Sequence, residues 1–285
     1  MNKVQMKTLR IIIALAVLAS CVKEPLYNTN HPEHGKIVAL VTDWTDRSED
    51  VAIPGAYTVK AGTYTAGVDM QNTSQHSHTA NIDHLFVAGQ YNLCIYNEAD
   101  GVTVNGTTAT ADYAVGPGWF FTGTESLTVE EDKDYTVTVA MRQQVRALTL
   151  ELDVQGDAAD RITGIDATLS GIAGAINIEN GNPEGDAVTL TPAFTQTEGK
   201  YTAVMRLLGM AGSEQTLSLT LHFTDADPQP YTLMSDLSEQ LSAFNEGKKT
   251  PLVLRSVLVA TPSATELTVT ITDWIPKEII QGTAD

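Results

Sequence analysis

The chain is punctuated into short apolar runs, many alternating with Thr or polar residues, set apart by Gly, Asn and acidic residues. That period-two pattern predicts strands rather than helices. The first run, residues 37–41 (Ile37-Val38-Ala39-Leu40-Val41), is apolar on both faces and predicts a strand covered on both sides. A polar loop at 46–54 follows, then alternation over 56–68 with a hairpin around Ala61-Gly62. Residues 71–81 (QNTSQHSHTAN) carry no period and predict a mobile surface loop. Strand character returns at 85–87 and 91–96, and Asn105-Gly106 between two alternating runs predicts a type I′ hairpin turn. Gly116-Pro117-Gly118 turns the chain into Trp119-Phe120-Phe121, expected core aromatics, before strands at 127–129 and 135–141.

Strands spaced by about ten residues with turn signals between them point to a β-sandwich. Gln143-Gln144 breaks the alternation and Arg146 opens a new run, which places a domain boundary near Gln144 and divides the fold into 36–144 and 145–285. The second part repeats the style of the first, with strands expected at 162–172, 187–194, 201–208, 217–223, 252–259 and 266–274. One helix interrupts it. Ser235 is the expected N-cap, Leu237, Leu241 and Phe244 fall on one face, Gly247 stops the helix, and Lys248-Lys249 complement the negative end of its dipole.

The N-terminus follows different rules. Lys3, Lys7 and Arg10 precede an apolar run at 11–18 that is shorter than the roughly 20 residues needed to span a bilayer, the layout of a secretory signal. Leu18-Ala19-Ser20-Cys21 resembles the bacterial lipobox. That resemblance implies a signal peptide at 1–20, cleavage before Cys21, and acylation of its thiol and new amino terminus. Two or three acyl chains hold a protein stably on a membrane, whereas one is marginal. Residues 21–35, with Pro25, Pro32 and Gly35, read as a flexible tether. Cys94, in an apolar run and without a partner once Cys21 is acylated, reads as a buried side chain.

Charge narrows the partners. The net charge is −18, and loss of the three leader cations takes it to −21. Nucleic acid binding, which depends on clustered Lys and Arg, is not expected. His76, His78 and His84 are close in sequence, with His31 and His34 upstream, but no Cys or spaced carboxylate completes a tetrahedral set. Asp225-Ala226-Asp227 lacks the rest of a calcium loop and reads as a turn. There is no GxSxG elbow, P-loop or strand-linked GxGxxG. We therefore expect no metal, no cofactor and no enzyme.

The lipobox, tether, two β-rich parts, the first run ending in Thr42-Asp43-Trp44 and the last in Thr272-Asp273-Trp274 together resemble the fimbrillin-like pilus subunits of Bacteroidales, most closely the family that anchors the major and minor fimbriae. The resemblance covers the mature chain and implies an all-β fold of two tandem Greek-key, transthyretin-like β-sandwich domains, with the one short helix in the second. It implies a surface-exposed lipoprotein of the cell outer membrane whose partners are other pilus subunits. In stalk and tip subunits of that superfamily, an Arg- or Lys-specific protease removes the first strand, and a neighbour's C-terminal strand fills the groove by β-strand addition. The candidate processing site is Arg47, the nearest basic residue after the first strand, in a loop expected to be solvated. The repeated TDW aligns Ile37, Ala39 and Val41 with Leu267, Val269 and Ile271, the candidate donor-strand residues. An anchor keeps its first strand. The alternatives are a processed stalk or tip subunit, and a surface lipoprotein that binds glycans or host protein through Tyr57, Tyr64 or Trp119.

Overall fold

The computed structural model describes residues 33–73, 75–224, 230–262 and 267–277. The leader, Cys21, His31, Asp225, Asp227 and the tail from residue 278 lie outside these residues. The first part comprises β1 (His34–Asp46), β2 (Ala56–Ala61), β3 (Tyr64–Asp69), β4 (Ser77–Ala80), β5 (Leu85–Val87), β6 (Gly89–Tyr96), β7 (Val102–Asn105), β8 (Thr108–Ala111), β9 (Phe121–Val129) and β10 (Asp134–Gln143). The second comprises β11 (Arg146–Gln155), β12 (Ile162–Asn177), β13 (Pro183–Leu190), β14 (Thr195–Thr197), β15 (Lys200–Leu207), β16 (Thr216–Phe223), β17 (Tyr231–Asp236), the helix α1 (Ser238–Leu241), β18 (Leu252–Pro262), β19 (Leu267–Ile271) and β20 (Ile275–Pro276). The described residues are all-β with one short α-helix.

An eight-stranded sheet runs β3-β2-β6-β9-β10-β1-β4, with β5 also on β1. It curls on itself, because Trp44 of β1 meets Tyr57 of β2 at 6.2 Å and Phe121 of β9 at 5.5 Å between ring centroids. The enclosed core takes Ile37, Leu40, Trp44, Tyr57, Leu93, Ile95, Val139 and Met141. In the second part, the sheet β14-β15-β11-β18-β19 faces the sheet β17-β16-β12-β8-β7. Alternate leucines of β11, β16 and β18 (Leu148, Leu150, Leu152; Leu217, Leu219, Leu221; Leu254, Leu258) fill the space between them, the expected consequence of period-two patterning in a sandwich.

Several local expectations change. β1 is not covered on both sides. Ile37, Leu40, Thr42 and Trp44 are buried, but Val38 is 39% exposed and Ala39 and Val41 are half-buried. A register irregularity between Ile37 and Ala39 shifts the phase of the strand, so an unbroken apolar run supplies only one buried face. β1 begins at His34, so the last residues assigned to the tether are already paired, Gly35 with Phe86. The polar stretch 71–81 is not wholly a loop: Ser77–Ala80 forms β4, antiparallel to β1 from Asp43↔Ser77 to Leu40↔Ala80. The Asn105-Gly106 hairpin forms one residue out of step, with Asn105 paired to Thr108 and Gly106 (φ 62°) in the turn. Although that hairpin precedes the boundary expected near Gln144, β8 pairs with β12 and completes a sheet of the second part.

The helix is shorter than expected. Ser235 belongs to β17, the N-cap position falls to Leu237, and the Asp236 carboxylate accepts from the Ser238 amide at 2.9 Å. Leu237, Leu241 and Phe244 do face the core. Past Leu241 the chain tightens into turns, with the Phe244 amide donating to the Leu241 carbonyl at 2.9 Å and the Glu246 amide to the Ala243 carbonyl at 3.1 Å, and the carbonyls left over are met by the buried Arg146 guanidinium. It donates to the carbonyls of Phe244 at 2.8 Å and Thr250 at 2.6 Å, and stacks on the Phe244 ring at 5.0 Å.

Candidate functional site

The residues that decide whether the first strand is kept lie at its two ends and along its sides. β1 runs parallel to β10, from Lys36↔Asp134 to Asp46↔Arg142, and antiparallel to β4 and β5 on the other side. It is an interior strand. Burying Ile37, Leu40 and Trp44 contributes roughly 5–9 kcal/mol before ordering costs, at about 1.5–3 kcal/mol each. The Trp44 indole N–H donates to Thr42 Oγ1 at 2.9 Å, which satisfies the one polar atom that tryptophan brings into the core.

Past Asp46 the acidic side chains Glu49 and Asp50 are exposed, as expected, but Arg47 is half-buried and Ser48 is buried. Arg47 folds back over its own turn and donates through Nη1 to the carbonyls of Ser48, Glu49 and Val51. Its Nε is buried with no partner among the described residues. Ser48 is only 6% exposed, and Val51 and Ile53 are buried in the first core. The Ser48 amide donates to Gln143 Oε1 at 2.9 Å, and its hydroxyl donates to the carbonyl of Lys249. Asp46 accepts an ion pair from Lys249 Nζ at 3.1 Å. The peptide bond after Arg47 is thus tied to β10 and to the segment that follows α1.

Gln143 is the hub of this tie. It is 4% exposed, and its Nε2 donates to the carbonyls of Val145 at 2.8 Å and Lys248 at 3.1 Å. The sequence shows Gln143-Gln144 as a break in the alternation, which was legible as a boundary but not as a clasp. Lys248 was expected at a helix end; instead it is 9% exposed, with Nζ near Gln144 Oε1 at 3.2 Å and the Gly181 carbonyl at 3.4 Å. Burial lowers its pKa from 10.5 to about 8.

The C-terminal strand is placed differently from the first. β19 lies at the end of its sheet, antiparallel to β18 from Leu258↔Ile271 to Pro262↔Leu267. Val269 is 4% exposed, Trp274 is 3% exposed, and both belong to the second core, with Ile271 packed against it. The TDW likeness does not extend to matched faces. β1 buries Leu40 and Thr42 while Ala39 is half-buried; β19 buries Val269, the residue aligned with Ala39, and exposes Thr270. Thr42 accepts from its tryptophan, whereas Trp274 Nε1 is buried without a partner among the described residues.

The remaining candidates fall elsewhere. His78 sits on β4 with Nδ1 3.3 Å from Tyr57 Oη, and His84 stacks on Tyr64 at 4.4 Å. No group of three or more His, Cys, Asp or Glu able to hold a metal occurs among the described residues. Cys94 is buried, and burial pushes its thiol pKa up to about 11, so it stays protonated. Tyr57 is 2% exposed and serves the core rather than a ligand. Trp119 is half-buried beneath the Arg206 guanidinium at 5.6 Å.

Comparison with known proteins adds a family and a fold. The sequence profile of the fimbrillin-A associated anchor proteins Mfa1 and Mfa2 matches residues 59–279. No curated protein matches the chain in sequence. Among solved structures, a candidate adhesin from Bacteroides ovatus is similar with a TM-score of 0.56 at 11% identity, over 78% of this chain and 89% of that one. The fimbrial anchor protein Mfa2 from Porphyromonas gingivalis is similar with a TM-score of 0.53 at 12% identity, over 85% of this chain and 98% of that one. A candidate polysaccharide-binding protein from Bacteroides thetaiotaomicron gives a TM-score of 0.53 at 10% identity, over 85% and 98%. These likenesses concern the fold.

Proposed function

Because the chain belongs to the family of fimbrillin-A associated anchor proteins, we propose that it is the membrane anchor of a fimbrium, a lipoprotein held in the outer membrane through Cys21 that keeps its first strand. The observation that carries this reading is the state of the bond after Arg47. A protease must draw several residues around the scissile bond into an extended form, and here Ser48 is buried and Arg47 is occupied with its own turn. A processed stalk or tip subunit needs that arginine free to enter a protease pocket.

The anchor joins its neighbour by β-strand addition, and the strand that serves is β19, with Leu267, Val269 and Ile271 as its alternate side chains. Its position at the end of a sheet supports this, since an end strand offers one row of unpaired backbone groups. Handing β19 wholly to a neighbour would withdraw Val269 from the core, so joining along its free edge is the less costly form. The other partners, if the subunit also meets the host, are surface ligands reached through its loops.

The test is mass spectrometry of the protein from its native outer membrane. We expect an acylated Cys21 on a chain that continues through Arg47 and Ser48. A mature terminus at Ser48 refutes the anchor reading and replaces it with a stalk or tip subunit.

A further inference from the structure

A cleft of about 380 Å³ opens where the two parts meet, lined among others by Asp46, Arg142, Asn180, Asn182, Lys248 and Lys249. Three cations in one small cleft are out of keeping with a chain of net charge −18. Asp46, the one carboxylate in the lining, is already held by Lys249 at 3.1 Å. Arg142 is exposed and has no ion-pair partner among the described residues. Lys248 is the unusual member. The residue is 9% exposed, and among the described residues its ammonium meets two neutral oxygens, on Gln144 and Gly181, and no carboxylate, which leaves one of its three donors free for a ligand. A buried ammonium without a counter-charge is costly and is found where something else supplies that charge.

We propose that this cleft binds a small, hydroxyl-rich carboxylate, an acidic sugar or sugar acid, with its carboxylate seated between Lys248 and Arg142. The volume suits a monosaccharide. The lining, more polar than apolar and including Asn180 and Asn182, suits the hydroxyls. The ligand would bridge β10, the turn between β12 and β13, and the segment after α1. The site does not involve β19, but it shares Asp46, Gln143 and Lys249 with the tie that holds the turn after Arg47.

The binding should follow the charge on Lys248. Burial alone lowers its pKa to about 8, with no charged neighbour offsetting the effect. The charged groups facing it across the cleft are Arg142 and the Asp46–Lys249 pair. Raising the pH above 8 therefore removes the ammonium from the cleft.

Isothermal titration calorimetry of the purified full chain with D-glucuronate, with D-glucose and acetate as controls, tests the proposal. We expect binding of glucuronate at pH 7, at least tenfold weaker at pH 10 and at least tenfold weaker in Lys248→Met, with no binding of glucose and far weaker binding of acetate. Arg142→Gln, an exposed change that leaves the fold intact, should also weaken it. No binding of glucuronate by the folded chain, or equal binding by folded Lys248→Met, overturns the site. Acetate binding as tightly as glucuronate overturns the assignment to a hydroxylated acid.

Discussion

Replacing Gln143 with alanine should expose the bond after Arg47 to proteolysis. In the closed state, the change leaves the buried Ser48 amide without its acceptor at 2.9 Å. An orphaned buried donor costs about 1–3 kcal/mol, and that donor regains a partner from water once the turn opens. Opening is thus eased by about 2 kcal/mol, a roughly 30-fold larger open population, given tenfold per 1.4 kcal/mol. The bonds from Gln143 Nε2 to Val145 and Lys248 do not cross to the turn. Their loss lowers global stability without favouring cleavage at this bond over others. The assay is limited digestion with an Arg-specific protease, following by mass spectrometry the fragment that begins at Ser48. Cleavage after Arg206 in the same sample measures global unfolding. A synthetic peptide spanning 43–52 gives the rate for an unprotected bond. When closing outpaces cleavage, the rate reports the open population. The reasoning is refuted if the wild-type chain is cut after Arg47 as fast as the peptide, or if Gln143→Ala leaves the ratio of the two cleavages unchanged.

Two further outcomes follow from buried groups. Trp44→Ala should destabilise the protein by about 3–5 kcal/mol in urea unfolding, since it empties a fully buried site between β1, β2 and β9; a loss below about 1 kcal/mol would mean that β1 contributes little to the core. Lys248 should make stability rise with pH. Its folded pKa of about 8 lies below the ordinary 10.5, so between these values the unfolded chain binds more protons and raising the pH favours the native state. The gap corresponds to about 3 kcal/mol. Comparing unfolding at pH 7 and 10, the ligand-free Lys248→Met chain should lack this rise and exceed the wild type in stability at pH 7; parallel pH dependence in both chains would show that the ammonium is not buried.

The strands were largely legible because a core between sheets demands apolar residues at every second position, and β11 and β16 meet that demand, as does β18 apart from Ser256. What stayed hidden was decided by pairing at long range. Ser77–Ala80 has no apolar pattern, yet it becomes a strand because β1 offers it an unpaired edge. The hairpin at Asn105 was readable as a local turn, but its addition to β12, more than sixty residues on, was not. The helix gives way after Leu241 to turns whose free carbonyls are met by Arg146 of β11, a partner that its own sequence does not show. At the site, the acidic residues around Arg47 pointed to solvent, and Glu49 and Asp50 do reach it, while the residues that hold the neighbouring Ser48, Gln143 and Lys249, come from elsewhere in the chain. Gln143 carried a visible mark, a polar residue interrupting an apolar run, but its meaning depended on what lay opposite.

The parallel pairing of β1 with β10 also bears on how the molecule would carry load. For a chain tethered through its N-terminus, tension enters at His34 and runs along the strand axis. The ladders to β10, β4 and β5 are then stressed in shear, so their hydrogen bonds must yield together rather than peel apart one by one. Beyond the strand, the same tension reaches Ser48, whose bonds to Gln143 and Lys249 pass it into β10 and the second part. The β7–β8 hairpin, threaded from one part into the sheet of the other, keeps the two from separating under that pull.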